Sequence, residues 1–227
     1  MISHKHKFIF IHIPKCAGSS IRDFYFDTPK LDWRQPNYEL LYGWCPERRI
    51  HLQHATPKEL IETNLIQKDV WDEYFKFAFV RNPWGRAYSD YKWIMLDSKV
   101  KDSFKNFIQK KGAFEKLLND KSVKEYRGDH LRPQIEYFGD KDYPLDFIGR
   151  FENLQEDINK INDILNIAHS FNVHSKNNTK NKLSHYSKFY TDSNKKIIDN
   201  VYLEDIVALN YRFEDFRSGF DKFKKLF

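Results

Sequence analysis

Lys15, Cys16 and Arg22 are the first residues whose types and spacing could do chemistry, and they follow an apolar run that begins at Phe8. The run turns through Gly18 and two serines into a segment with helical character. A strand that turns into a helix in this way can hold a phosphate, because the N–H groups at a helix N-terminus point at a bound anion. The stretch therefore predicts a phosphate-binding loop, but it leaves open which phosphate is bound and which residue acts on it.

Two enzyme classes compete for this loop on spacing alone. The P-loop of nucleotide triphosphatases requires G-x-x-x-x-G-K-(S/T), whereas Lys15 here precedes Gly18. A cysteine phosphatase requires C-x5-R, which Cys16 and Arg22 satisfy, with a thiolate activated by the helix N-terminus. That short pattern is easily met by chance, and no Asp general acid follows it. The cysteine phosphatase stays open as an alternative, and so does Cys16 as a small residue in a tight turn.

A second pattern runs from Arg81 to Ser89 and reads R-N-P-W-G-R-A-Y-S. Arg81 follows an apolar run, and its planar guanidinium can bind a phosphate through two hydrogen bonds. Pro83 suits the first turn of a helix, and Ser89 then lies two turns into it. The alternative is structural, with Arg81 and Arg86 paired to carboxylates and the aromatic residues of the helix packed in a core.

The two segments together resemble the PAPS-dependent carbohydrate sulfotransferases. The resemblance implies a bacterial member of that family, similar to sulfotransferase family 2. His12 to Ser20 follows their 5′-phosphosulfate loop, H-I-P-K-(T/C)-(A/G)-G-(T/S)-(S/T), almost position for position. Arg81 to Ser89 follows their 3′-phosphate motif, R-(N/D)-P-x-x-R-x-x-S. The resemblance implies that 3′-phosphoadenosine 5′-phosphosulfate (PAPS) is the co-substrate, that adenosine 3′,5′-diphosphate is the product, and that no metal is needed.

The resemblance also assigns residues to the donor. Lys15 is expected to neutralise charge on the oxygen that bridges phosphate and sulfate, which makes it a catalytic residue as well as a binding one. A polar segment near residue 180 resembles the loop that covers the nucleotide in these enzymes. The donor-binding residues implied in this way are Lys15, Cys16, Ala17, Gly18, Ser19, Ser20, Arg81, Ser89, Thr179 and Tyr186.

His54 is the candidate general base. The segment from Gln53 to Leu60 resembles the one whose histidine removes the acceptor's proton in related sulfotransferases, and an imidazole suits that work at neutral pH. His51 is expected on the opposite side of a strand, so His54 is preferred. The alternative that His54 is only a structural, hydrogen-bonding residue stays open. The spacing of Cys45, His51 and His54 could also suggest a metal site, but the sequence offers no evident fourth ligand, so a metal site is not favoured.

The segment His130-Leu-Arg-Pro-Gln134 also resembles part of the family and is expected on the acceptor side. The acceptor is expected to be a hydroxyl, with a carbohydrate or glycan favoured by the resemblance alone. The oligomeric state cannot be read from the sequence.

The order of elements predicts an α/β fold, because apolar strand-like runs alternate with amphipathic helices. Strands are predicted near 8–13, 49–53, 75–80 and 147–151, with helices at 19–26, after 56, after 82, at 152–165, near 193–203 and after 205. The resemblance implies a P-loop-like three-layer fold with a central parallel sheet flanked by helices. Ligands bind beyond the carboxyl ends of such strands, so Lys15, His54, Arg81 and Ser89 are expected to converge.

Composition bounds the remaining possibilities. With 227 residues and 41% hydrophobic content the chain can build one sizeable core, which predicts a single sulfotransferase domain over 1–227. The formal charge of +6 suits an anionic ligand. No nucleic-acid-binding motif is recognisable, so no nucleic acid is expected, although a non-catalytic nucleotide-binding module stays open.

The cellular compartment is predicted from the cysteine count and from two features that the sequence lacks. Two cysteines do not make a disulfide framework and suit a reducing compartment. No apolar stretch is long enough to span a bilayer, and the N-terminus has no signal-peptide pattern. The sequence therefore predicts a cytoplasmic protein.

Overall fold

The computed structural model describes residues 1–26, 31–171 and 185–218. The strands are β1 Ile2–Ser3, β2 Phe8–Ile11, β3 Trp44–Cys45, β4 Ile50–His51, β5 Phe75–Val80 and β6 Phe147–Arg150. The α-helices are α1 Gly18–Tyr25, α2 Pro57–Glu62, α3 Lys68–Glu73, α4 Pro83–Ser98, α5 Phe104–Ile108, α6 Glu115–Asn119, α7 Leu154–Ile164, α8 Asp192–Val201 and α9 Leu203–Ala208.

Within the described residues, the central sheet has four strands in the order β1-β2-β5-β6. β1 is antiparallel to β2, whereas β2, β5 and β6 are parallel. All four residues of β2 are buried, as expected for a strand covered on both faces. The sheet is flanked by helices, so the predicted α/β class is confirmed. The finer prediction of a P-loop-like three-layer fold stays a prediction.

Local capping rules explain where the two helices nearest the motifs begin. α2 starts at Pro57 after Thr56, whose hydroxyl accepts from the Glu59 N–H while the Glu59 carboxylate accepts from the Thr56 N–H. α4 starts at Pro83 after Asn82, whose side chain accepts from the Gly85 N–H. Both helix starts were predicted from the sequence and are confirmed.

The strand predicted at 49–53 is shorter than expected and does not join the central sheet. β4 covers only Ile50–His51 and pairs antiparallel with β3 in a separate sheet of two strands among the described residues. The Gln53 side chain accepts from the Gly43 N–H, and the Leu52 N–H donates to the Gly43 carbonyl. β3 lies only a few residues before β4 in the sequence, so pairing them requires a short loop. Pairing β4 with the central sheet would require a longer crossover connection, which costs more conformational entropy.

Internal packing divides the chain into two compact units. The first, the sheet unit, comprises Met1–Val80, Lys121–Lys124 and Gln134–Val173 and holds both sheets. Its core is aromatic, with Phe8, Phe10 and Phe77 packed ring against ring.

The second, the helical unit, comprises Arg81–Asp120, Glu125–Pro133 and His174–Phe227. Its core gathers buried apolar side chains from α4, α5, α6 and α8, among them Trp84, Phe107, Leu118 and Ile198, together with Phe114 just before α6. The prediction of a single sulfotransferase domain stays a prediction. Among the residues described, no helix combines the length and the apolar character that crossing a bilayer would require.

Candidate functional site

The loop between β2 and α1 has an unusual main chain. Lys15 and Ala17 both have positive φ, at 65° and 70°. A residue with a Cβ pays about 1–2 kcal/mol for the left-handed conformation, so two such residues in so short a turn store strain. Strain of this kind clusters in loops that bind ligands, because the function requires the strained geometry.

The N-terminus of α1 is built for an anion. Its N-cap residue is Ala17, which makes no side-chain cap hydrogen bond, and its first turn has no acidic residue. The Ser20 N–H donates to the Ala17 carbonyl, whereas the Gly18 and Ser19 amides come before any intrahelical acceptor, so these two amides and the positive end of the helix dipole favour an external negative group. Ser19 is exposed and Ser20 is half-buried, so their hydroxyls border the same end of the helix. The structure thus brings the predicted residues 15–20 together in one loop–helix junction.

Cys16 is buried within this loop. Its side chain is 1% exposed, and Sγ donates to the Pro14 carbonyl at 3.6 Å and to Gln134 Oε1 at 3.5 Å. Gln134 is itself fully buried. A reactive thiolate needs at least partial exposure, which this buried position does not offer. The thiol instead ties the loop to a buried amide.

Arg22, the other half of the C-x5-R pattern, is also engaged. Its guanidinium donates to Asp23 Oδ1 at 2.7 Å and to the Tyr42 hydroxyl at 3.3 Å. Burial lowers the pKa of Arg22, but the hydrogen bond and charge of Asp23, together with Tyr42, outweigh it and leave the pKa raised. With Cys16 buried and Arg22 bound to a carboxylate, the geometry disfavours the cysteine phosphatase.

His54, the predicted base, ends a short 3-10 helix, Leu52–His54, that connects β4 to α2. Its side chain is buried, and its ring lies 5.0 Å from the ring of His12 in an edge-to-face arrangement. The His51 ring is 6.1 Å away on the same chain segment. His54 therefore reaches the end of β2 and its loop, although the strand before it lies outside the central sheet.

The start of α4 is fixed by side chains rather than by main-chain strain. The Asn82 amide donates to the Arg212 carbonyl at 3.2 Å, in addition to capping the helix. The Trp84 indole N–H donates to Asp199 at 2.9 Å, and the Tyr190 hydroxyl donates to the Trp84 carbonyl at 2.9 Å. Burial raises the pKa of Tyr190 well above its usual value, so this hydroxyl keeps its proton. The second motif thus stands on a helix held at its first turn.

Arg81, Gly85 and Ser89 are spaced four residues apart, which places them along one side of the segment that leads into and through α4. A Cβ at Gly85 would lie 3.7 Å from Arg81 Nε and 3.5 Å from Tyr186 Cδ1, so both side chains lie against this glycine. Arg81, Ser89 and Tyr186 are all half-buried. The structure therefore brings together the predicted residues Arg81 and Tyr186, whereas Thr179 lies outside the described residues.

Arg86 has a structural role that the motif alone does not reveal. It is 2% exposed, and its Nη2 donates to the carbonyls of His130 and Arg132 at 2.8 and 2.9 Å. These two main-chain oxygens tie Arg86 to the segment that carries His130 and Arg132. The sequence of the motif could not predict this contact, because His130 lies more than 40 residues after Arg86.

One turn after Arg86, Asp90 holds the His130 ring. Asp90 Oδ1 lies 2.7 Å from His130 Nδ1, so the two buried side chains share a hydrogen bond. The Trp93 ring stacks on His130 with centroids 4.8 Å apart and an interplanar angle of 4°. Sequence reasoning missed Asp90, for which the i, i+4 spacing to Arg86 was the available signal. The expectation that His130 belongs to the acceptor side stays a prediction, as does the convergence of Lys15, His54, Arg81 and Ser89.

Comparisons with known proteins give one family. The family model described as "Sulfotransferase family" matches residues 1–212. An uncharacterized protein of Archaeoglobus fulgidus is 32% identical over 99 residues, which are 43% of this chain and 72% of that protein. No solved structure matches this chain.

Proposed function

The chain belongs to the sulfotransferase family, and we propose that it transfers the sulfuryl group of PAPS to a hydroxyl of a carbohydrate or glycan acceptor. Family membership itself supports a transferase that delivers a sulfuryl group to a hydroxyl-bearing acceptor. The donor, the class of acceptor and the base are the proposed parts. The observation that carries the donor and the base is the strained loop–helix junction, with His12 at its start in ring contact with His54. The carbohydrate acceptor is supported by the resemblance of the two motifs alone.

In the proposed reaction His54 takes the proton from the acceptor hydroxyl as its oxygen attacks sulfur in line with the leaving group. The bond between sulfur and the bridging oxygen breaks, and adenosine 3′,5′-diphosphate leaves. Lys15 and the amides of the loop stabilise the negative charge that builds on the departing phosphate. Ser19 and Ser20 hold the 5′-phosphate at the N-terminus of α1.

Arg81 and Ser89 bind the 3′-phosphate in this proposal. Arg81 is supported by its position against Gly85 and beside Tyr186, where a planar guanidinium can meet a phosphate. Tyr186 offers a half-buried ring beside the adenosine. A site for the 3′-phosphate selects PAPS over nucleotides that lack this group.

The first experiment measures donor binding and transfer separately. Adenosine 3′,5′-diphosphate binding is measured by calorimetry, and transfer is followed with radiolabelled PAPS on a panel of oligosaccharides, a tyrosine peptide and simple alcohols. We expect micromolar binding, and transfer to a saccharide. His54→Ala should abolish transfer and leave the dissociation constant within about twofold, because a base acts on the acceptor and not on the nucleotide.

His51→Ala is the matched control, because it removes the neighbouring imidazole and should retain most of the turnover. Substantial turnover by His54→Ala would refute the base assignment. Tight binding without transfer to any acceptor in the panel would favour the non-catalytic nucleotide-binding module. Transfer only to the peptide or the alcohols would refute the carbohydrate part of the proposal.

A further inference from the structure

We propose that His12 is a positioning residue for His54, and that residue 18 is glycine because the His12 ring occupies the space a side chain would need. The proposal rests on the proposed function of His54 as the base. It joins two positions of the first motif, His12 and Gly18, through a direct contact that phosphate binding alone does not require.

His12 is held between two rings at the end of β2. Its imidazole stacks on Phe10 with centroids 5.5 Å apart and an interplanar angle of 18°. On another side it meets His54 at 5.0 Å with an interplanar angle of 74°. Phe10 is fully buried in the central sheet, so it gives His12 a rigid support. The orientation of His12 is thus passed on to His54 by direct ring contact.

The third contact of His12 is with the donor loop. A Cβ built on Gly18 would lie 1.7 Å from His12 Nε2, 2.1 Å from Cδ2 and 2.2 Å from Cε1. Side-chain carbons do not approach other heavy atoms so closely, so no residue larger than glycine fits while the ring keeps this place. The distal edge of the imidazole therefore lies directly against the first residue of α1.

His54 depends on such packing for its orientation. It sits at the end of a 3-10 helix of three residues, whose hydrogen-bond geometry is poorer than that of an α-helix. The basic nitrogen must lie within about 2.6–3.2 Å of the oxygen whose proton it abstracts, and a misplacement of about 1 Å can cost about 100-fold in rate. The His12 side chain contacts both His54 and the first residue of α1, so it links the position of the base to that of the donor loop.

The main test separates turnover from donor binding. His12→Ala removes the ring and leaves the main chain of the loop unchanged. We expect kcat to fall about 10- to 100-fold with the best acceptor of the panel described above, while the dissociation constant of adenosine 3′,5′-diphosphate changes less than about threefold. A residue with only a structural role in the loop would weaken nucleotide binding at least as much as turnover.

A steric cycle tests the contact itself and needs no acceptor. Gly18→Ala should lower the melting temperature, because its methyl group collides with the His12 ring. In the His12→Ala background the same Gly18→Ala change should cost much less, since the ring is absent. Gly85→Ala is the matched control, because a Cβ there meets nothing closer than 3.5 Å.

Histidine ring spectra give a third readout. The ring signals of His54 should shift in His12→Ala and in Gly18→Ala, and should stay unchanged in Gly85→Ala. The proposal is overturned if His12→Ala keeps kcat within twofold of the wild type, or if its main effect is weaker nucleotide binding. It is also overturned if Gly18→Ala lowers the melting temperature as much in the His12→Ala background as in the wild type. If His54→Ala retains turnover but the ring shifts and the steric relief are seen, the proposed base fails while the His12 contact stands.

Discussion

The two phosphate motifs hold their shapes by different means. The loop after β2 relies on its main chain, with positive φ at Lys15 and Ala17 and no side-chain cap on α1. The motif at the start of α4 relies on side chains, with Asn82 as the cap and Arg86 bound to two distant carbonyls. The shape of the first loop therefore depends mainly on its main-chain conformation. In the second motif neighbouring side chains can take different roles, one binding the ligand and another supporting the fold.

The largest expected effect is on the supporting arginine of the second motif. Arg86→Ala leaves the carbonyls of His130 and Arg132 without their charged donor in a buried place, which should cost about 3–5 kcal/mol of unfolding free energy. Denaturant unfolding measures this loss. Arg86→Lys, as the control, should recover only part of it, because one ammonium replaces a planar fork. A loss below 1 kcal/mol would contradict the supporting role.

Arg81→Ala should do the opposite of Arg86→Ala. Arg81 is half-buried and assigned to the 3′-phosphate, so its removal should weaken adenosine 3′,5′-diphosphate binding about 30- to 150-fold, or about 2–3 kcal/mol. The unfolding free energy should change by less than about 1 kcal/mol. Calorimetry with adenosine 5′-monophosphate provides the control, since a ligand without the 3′-phosphate should bind both proteins alike. Equal weakening for both nucleotides would remove the distinction between the two arginines.

The two N-cap residues should respond with opposite signs. Asn82→Ala removes the side-chain oxygen that accepts from Gly85 N–H and should cost about 1 kcal/mol of stability. Ala17→Gly relieves the left-handed conformation of a residue with a Cβ and should be neutral or stabilise by about 0.5–1 kcal/mol. Thermal unfolding of both variants checks the pair. A destabilising Ala17→Gly would mean that the strain of the first loop resides elsewhere.

The smallest effect is expected at Cys16. Cys16→Ser keeps a donor of similar size toward Pro14 and Gln134, so stability should change by about 1 kcal/mol or less and transfer should persist. Radiolabelled transfer and melting temperature are the measurements. Complete loss of activity in a protein that stays folded and binds nucleotide would restore the thiol as a nucleophile.

Local rules predicted most of the elements near the motifs. β5 was predicted at 75–80 and lies at Phe75–Val80, because a continuous apolar run is typical of a buried parallel strand. Thr56 and Pro83 marked helix starts correctly, since caps and first-turn prolines act within a few residues. The strand at 49–53 was misplaced because a short apolar run does not say which strand it will pair with.

The candidate site was predictable in its residues and not in its contacts. The sequence by itself determined that the loop at residues 15–17 turns through Gly18 into a helix, and that Arg81 precedes a helix in which Ser89 lies two turns from the start. Only the tertiary structure turned Cys16 toward Gln134, 118 residues away, bound Arg86 to the carbonyls of a distant segment, and laid His12 in the space left by Gly18. Helix starts and strand runs arise from interactions over a few residues, whereas the partner of a buried side chain is whichever distant segment folding brings against it.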